Sequence, residues 1–136
     1  MAVVEELIRG EASGALSFGN YLLADKAKKE DFEHGGDLYK VKTYSTMTKL
    51  EKNGLFVYES VPGTSVSSLT ETPKGMKFSV EGNEDAQLTL GLEDDAEYEV
   101  LIDGASNGKM KTNLGGKLTL SVELTPGREV TVEVRK

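Results

Sequence analysis

The chain has 136 residues, a formal net charge of −7, and neither cysteine nor tryptophan. That length fits one domain or two very small ones, folding without disulfides or thiolate-bound metal. The acidic balance argues against nucleic acid or an anionic membrane as partner, and no apolar run approaches the ~20 residues that span a bilayer.

The opening residues Met1–Glu6 carry no basic region before their short apolar run. They read as lacking a signal peptide, which makes the cytoplasm the expected location. Val3–Arg9 and Ala15–Leu23 read as strands flanking Gly10–Gly14. Ala24–Phe32, rich in lysine and acids, reads as a short helix or a solvated loop that ends before Gly35-Gly36. Leu38–Tyr44 reads as a strand.

Asn53-Gly54 then joins Met47–Lys52 to Leu55–Val61, and that dipeptide suits a type I′ hairpin turn. A regular register sets Lys52 opposite Leu55, Leu50 opposite Val57, and Thr48 opposite Glu59. On the other face it pairs Glu51 with Phe56, Lys49 with Tyr58, and Met47 with Ser60. One face is thus aliphatic at its centre, the other aromatic and charged.

Beyond residue 75 apolar residues fall at every second position. They are Met76, Phe78 and Val80; Leu88, Leu90 and Leu92; Tyr98, Val100 and Ile102; Leu118, Leu120, Val122 and Leu124; and Val130, Val132 and Val134. This alternation sets one side of each strand on a core and the other in water. Of these, Val100, Leu120, Val122 and Val132 are expected in the core. Turn residues punctuate the runs at Gly82-Asn83, Asp103-Gly104, Asn107-Gly108, Gly115-Gly116 and Pro126-Gly127.

Short strands at such spacing predict an all-β fold, an antiparallel β-sandwich of the immunoglobulin-like or jelly-roll-like kind. At least seven strands are expected. Lys49–Val66 also aligns without gaps on Asn113–Val130, matching Leu50, Glu59, Pro62, Gly63 and Val66 to Leu114, Glu123, Pro126, Gly127 and Val130. The chain is therefore read as one domain, 1–136, with a subdivision into related modules 1–72 and 73–136 held open.

Two stretches carry a resemblance: Leu50-Glu51-Lys52-Asn53-Gly54-Leu55-Phe56-Val57-Tyr58-Glu59-Ser60-Val61-Pro62-Gly63-Thr64, and Met110-Lys111-Thr112-Asn113-Leu114-Gly115-Gly116-Lys117-Leu118. They resemble short bacterial proteins that carry the label endosialidase. True sialidases use three arginines to clamp a carboxylate, a tyrosine nucleophile with an acidic partner, and Asp-box motifs ending in tryptophan. This chain has three arginines, Arg9, Arg128 and Arg135, and no Asp box. No sialidase activity is expected.

His34 is the single histidine, in a charged segment without a serine elbow or a cysteine, and reads as solvent-exposed. Glu84-Asp85 and Glu93-Asp94-Asp95 lack the spaced oxygens of a calcium loop and read as turn-solvating. Gly115-Gly116 precedes a strand, whereas a phosphate-cradling loop opens a helix. No metal or cofactor is expected.

The candidate contact residues are Phe56, Tyr58, Lys49 and Met47, on the aromatic hairpin face; the alternative is that this face packs on a second sheet. The expected function is non-enzymatic, a β-sandwich acting by protein–protein association, first of all with itself as a homo-oligomer. A carbohydrate-binding module is the alternative, and a small glycan-active hydrolase the second.

Overall fold

The computed structural model describes residues 3–136. Among these it is all-β: thirteen strands in two antiparallel sheets packed face to face, with no helix. In chain order the strands are β1 (Ile8–Gly10), β2 (Leu16–Phe18), β3 (Ala27–His34), β4 (Asp37–Thr43), β5 (Thr48–Lys52), β6 (Leu55–Val61) and β7 (Ser65–Thr72). Then follow β8 (Gly75–Glu81), β9 (Ala86–Gly91), β10 (Glu97–Ile102), β11 (Ala105–Lys111), β12 (Lys117–Val122) and β13 (Val130–Arg135). Sheet A has the order β1-β2-β7-β8-β13-β10-β11, and sheet B the order β12-β9-β6-β5-β4-β3. The expected antiparallel β-sandwich is the observed fold.

The alternating runs do what their period dictates. Met76, Phe78, Val80, Val100, Val132 and Val134 of sheet A and Leu88, Leu90, Leu118 and Leu120 of sheet B fill the space between the sheets. Val122, Leu120, Val132 and Val100 are all buried, as their alternation requires. Asn53-Gly54 and Asp103-Gly104 both take positive φ at both positions, the backbone of a type I′ turn, and close β5–β6 and β10–β11. Asn53 also donates from Nδ2 to Asp37 and accepts from the Leu38 amide, clipping β4 to the hairpin tip.

Four expectations are corrected. Ala24–Phe32 is neither helix nor plain loop: from Ala27 it is β3, the edge strand of sheet B, paired with β4 from Ala27↔Thr43 to His34↔Asp37. An edge strand faces water on most sides, so it carries charge instead of alternation, and a bulge with Asp31 at φ 55° breaks its period. Second, the N-terminal strands are three residues each, shorter than expected, because Leu7 at φ 75° and Gly19 at φ 98° break the extended run on the outer side of each. Third, Asn107-Gly108 is a bulge inside β11, with Gly108 at φ 90°, and not a turn. Fourth, the β5–β6 register slips. Glu51↔Phe56 and Lys52↔Leu55 pair as expected, but Leu50 meets Tyr58, Lys49 meets Glu59 and Thr48 meets Ser60. Val57 is the extra residue of a bulge, and Val57 and Tyr58 are therefore buried in succession.

The internal match has a structural counterpart in part. Val66 on β7 and Val130 on β13 flank Val80 of β8 in one row of sheet A. In sheet B, Tyr58 on β6 and Leu118 on β12 flank Leu90 of β9. In both places the chain crosses from sheet B to sheet A through a Pro-Gly corner. Eight residues separate Tyr58 from Val66 and twelve separate Leu118 from Val130, so the gapless alignment slips by four in sheet B. Leu50, fully buried, and Leu114, exposed, are not equivalent. Residues 72–75 form the tight turn of the β7–β8 hairpin, and one hydrophobic cluster runs through both sides of it.

Candidate functional site

The bulge at Val57 decides what the candidate face contains. Thr48 at the start of β5 points inward and is fully buried, so Lys49 and the preceding Met47 point outward, each half-buried. Phe56 stands on the same outer face of sheet B, half-buried. Gly91 of β9 lies beside it: a Cβ there would sit 2.2 Å from Phe56 O and 3.2 Å from Phe56 Cδ1. The missing side chain leaves room for the ring.

Tyr58 is not part of this surface. Its side chain points between the sheets, fully buried, edge-on to Phe18 (5.4 Å, 77°) and Phe78 (5.6 Å, 88°). Its hydroxyl lies 2.7 Å from Thr64 Oγ1, which also meets Ser60 Oγ at 2.7 Å. Burial pushes the phenol well above its ordinary value; its hydroxyl partners pull less strongly the other way. The expected aromatic pair is thus split, with Tyr58 in the core and Phe56 outside.

Lysines surround Phe56. Lys117 Nζ lies 4.5 Å from the ring centroid and Lys49 Nζ 5.8 Å, within cation–π range. The register extends this into a row across sheet B. Lys28 of β3 pairs with Lys42 of β4, Lys42 with Lys49 of β5, and Lys49 with Glu59 of β6. Directly opposed residues on one face stand about 5 Å apart at Cβ, and like charges there oppose the fold. Lys28 and Lys49 reach neighbouring carboxylates, Glu30 at 3.7 Å and Glu51 at 3.8 Å. Lys42, the middle rung, has no carboxylate within ion-pair distance among the described residues. Lys40 pairs with Glu30 at 3.3 Å on the same face, and Lys26 Nζ sits 5.7 Å over the Tyr44 ring.

Six of the chain's thirteen lysines thus belong to this face or its margin. Of these, the sequence reading found Lys49 alone. The signal was present in Lys40/Lys42, two apart on one strand face, and in Lys28, but without the strand order they do not form a row.

The other candidates resolve differently. His34 Nε2 donates to Gly14 O at 2.9 Å, with the ring 6.5 Å from that of Phe32 and 6.2 Å from that of Tyr39. It lines a cleft of about 230 Å³ at one mouth of the sandwich, with Asp37, Tyr39, Lys52 and Glu71. There Lys52 and Glu71 form a 3.2 Å ion pair between the sheets. Burial works to lower the Lys52 pKa, but the charge and hydrogen bond of Glu71 together hold it above its ordinary value. The arginines serve different carboxylates: Arg9 bonds Glu11, Arg128 bonds Asp103, and Arg135 reaches Glu99 and Glu133. Asp95 pairs with Lys111, Glu93 with Lys136, and Asp85 accepts from Leu124 N. Among the described residues no group of three or more His, Asp or Glu side chains is set to hold a metal ion.

A groove of about 630 Å³ lies elsewhere, on the outer face of sheet A. Ser68, Thr70, Ser79, Thr131, Lys77 and Glu133 line it. The chain matches no family model, no curated protein and no solved structure.

Proposed function

We propose that the protein is a non-enzymatic β-sandwich acting by protein–protein association, with the outer face of sheet B as its contact surface for an acidic partner. The observation that carries this reading is the row Lys28–Lys42–Lys49. Like charges in direct cross-strand register weaken a sheet, so such a row does not serve folding. It serves an incoming anionic surface, which relieves the repulsion on contact and is steered by it from a distance. Phe56, held between Lys49 and Lys117, supplies apolar area at one end of the row.

Fluorescence anisotropy with labelled poly-L-glutamate tests the surface. Binding by the wild type, lost in Lys42→Glu/Lys49→Glu, supports the reading, and no binding by the wild type overturns it. A carbohydrate-binding role is the second reading, and the hydroxyl-lined groove on sheet A favours it. A glycan array with the wild type and a Ser79→Val/Thr131→Val variant separates that role from the first.

A further inference from the structure

The lysine row restricts the geometry of any self-association. A two-fold dimer with its axis through the row would set one lysine row against the other, since an isologous interface presents the same patch on both sides. The row is therefore not complementary to itself. A second copy fits the row by presenting an acidic surface to it, and the overall charge of −7 means that the remainder of each copy is acidic.

The structure concentrates acids where the row is not. Ala86 of β9 pairs with Val122 of β12, so the segments beyond these residues leave sheet B side by side. Asp85 Oδ1 accepts from Leu124 N at 3.0 Å and ties the two segments together. Glu84, Asp85 and Glu123 are exposed there, and Glu129 is exposed at the far end of the same connection, just before β13. Among the described residues none of the four has an ion-pair partner, and the neighbouring cation, Arg128, is engaged by Asp103 at 2.7 Å. β12 and β3 are the opposite edges of sheet B. The corner lies beside β12, and the row begins on β3.

We infer that the lysine row of one molecule docks the acidic corner of a second copy, so that the chain assembles head to tail. The inference rests on the reading of the outer face of sheet B as a contact surface and names the partner. Because row and corner are separate patches, each docked copy leaves one of each free. Such a heterologous contact propagates into a filament or closes into a ring. It is electrostatic and so weakens with salt.

The experiment is molar mass by light scattering at ~10 mM and ~1 M ionic strength, across which the Debye length falls from ~30 Å to ~3 Å. Two surface variants accompany the wild type: Lys28→Glu/Lys42→Glu/Lys49→Glu, and Glu84→Lys/Glu123→Lys/Glu129→Lys. Circular dichroism verifies that both fold. The wild type is expected at least twofold above the 14.7 kDa monomer at low salt, returning to it at high salt. Each variant alone is expected as a monomer, because row and corner then carry the same sign. An equal mixture of the two is expected to regain the low-salt assembly, because each supplies the charge the other lacks. A monomeric wild type at low salt overturns the inference, and so does an assembly untouched by both variants or a mixture that stays monomeric. If the wild type is monomeric yet binds poly-L-glutamate through the row, self-docking fails and the contact surface stands. If it does neither, both fall.

Discussion

Tyr58 Oη lies 2.7 Å from Thr64 Oγ1, joining sheet B to the corner where the chain crosses into sheet A. Thr64 is the centre of a buried hydroxyl network. Its carbonyl accepts from Thr48 Oγ1, its amide donates to the same oxygen, and Thr48 meets Thr43 at 2.8 Å. Every buried side-chain polar atom among the described residues has a partner. Tyr58→Phe is therefore expected to cost about 1 kcal/mol, the usual net worth of a buried hydrogen bond. Tyr58→Ala, which also empties the space beside Phe18 and Phe78, is expected to cost about 3–5 kcal/mol. Urea unfolding measures both, and equal losses would show that the ring contributes nothing beyond its hydroxyl.

The same residue gives the fold an alkaline limit. Burial raises the Tyr58 phenol above its ordinary pKa, and burial, as the largest cause, raises Tyr39 and Tyr21 as well. Above pH ~10 the unfolded chain releases phenolic protons that the folded chain still holds. The stabilisation is complete below that pH and is lost as pH rises through the folded values. Stability is expected to fall from about pH 10 upward, and less steeply in Tyr58→Phe. Identical slopes for the two proteins would assign the alkaline loss to other groups.

Leu118 and Leu114 are four residues apart, one buried and one 81% exposed. Leu118→Ala is expected to cost about 3 kcal/mol, since it leaves a cavity between the sheets. Leu114→Ala is expected to cost under about 0.5 kcal/mol. Denaturation midpoints decide the matter, and a Leu114 cost matching that of Leu118 would mean that Leu114 is covered.

Gly63 occupies the β6–β7 corner, where an added Cβ would lie 1.9 Å from Tyr44 O. Its amide donates to Ser45 O at 3.0 Å, so the two turns are locked against each other. Gly63→Ala is expected to lose about 2–3 kcal/mol through overpacking against backbone. Gly108→Ala, at φ 90° with nothing within 4 Å of the added carbon, meets only conformational strain of about 1 kcal/mol. Thermal melts that rank the two in the reverse order would contradict the packing at the corner.

No turnover of polysialic acid is expected. The Tyr58 phenol is fully buried, out of reach of a substrate, and Arg9, Arg128 and Arg135 are engaged by separate carboxylates. Incubation with polysialic acid and a reducing-end assay checks this. Product formation abolished by Tyr58→Phe would overturn it.

The sequence by itself determined the β class, the type I′ turn at Asn53-Gly54, a turn at Asp103-Gly104, and the inward faces of β8, β9, β10, β12 and β13. In those strands one side meets core and the other meets water without interruption, so chemistry alternates with the pleat and can be counted along the chain. Tertiary structure alone decided the rest. β3 is strand because it lies along β4 at a sheet edge, where charge is tolerated on both sides and no alternation marks it. Tyr58 is core and Phe56 surface because one extra residue, Val57, reverses the parity of the strand; a local pattern cannot reveal that inversion, since the partner strand sets it. The same holds for charge. The chain's sum of −7 is additive and legible from composition. The row Lys28–Lys42–Lys49 exists only through the pairing of three strands, because electrostatic fields depend on the distances between charges, which only long-range register fixes.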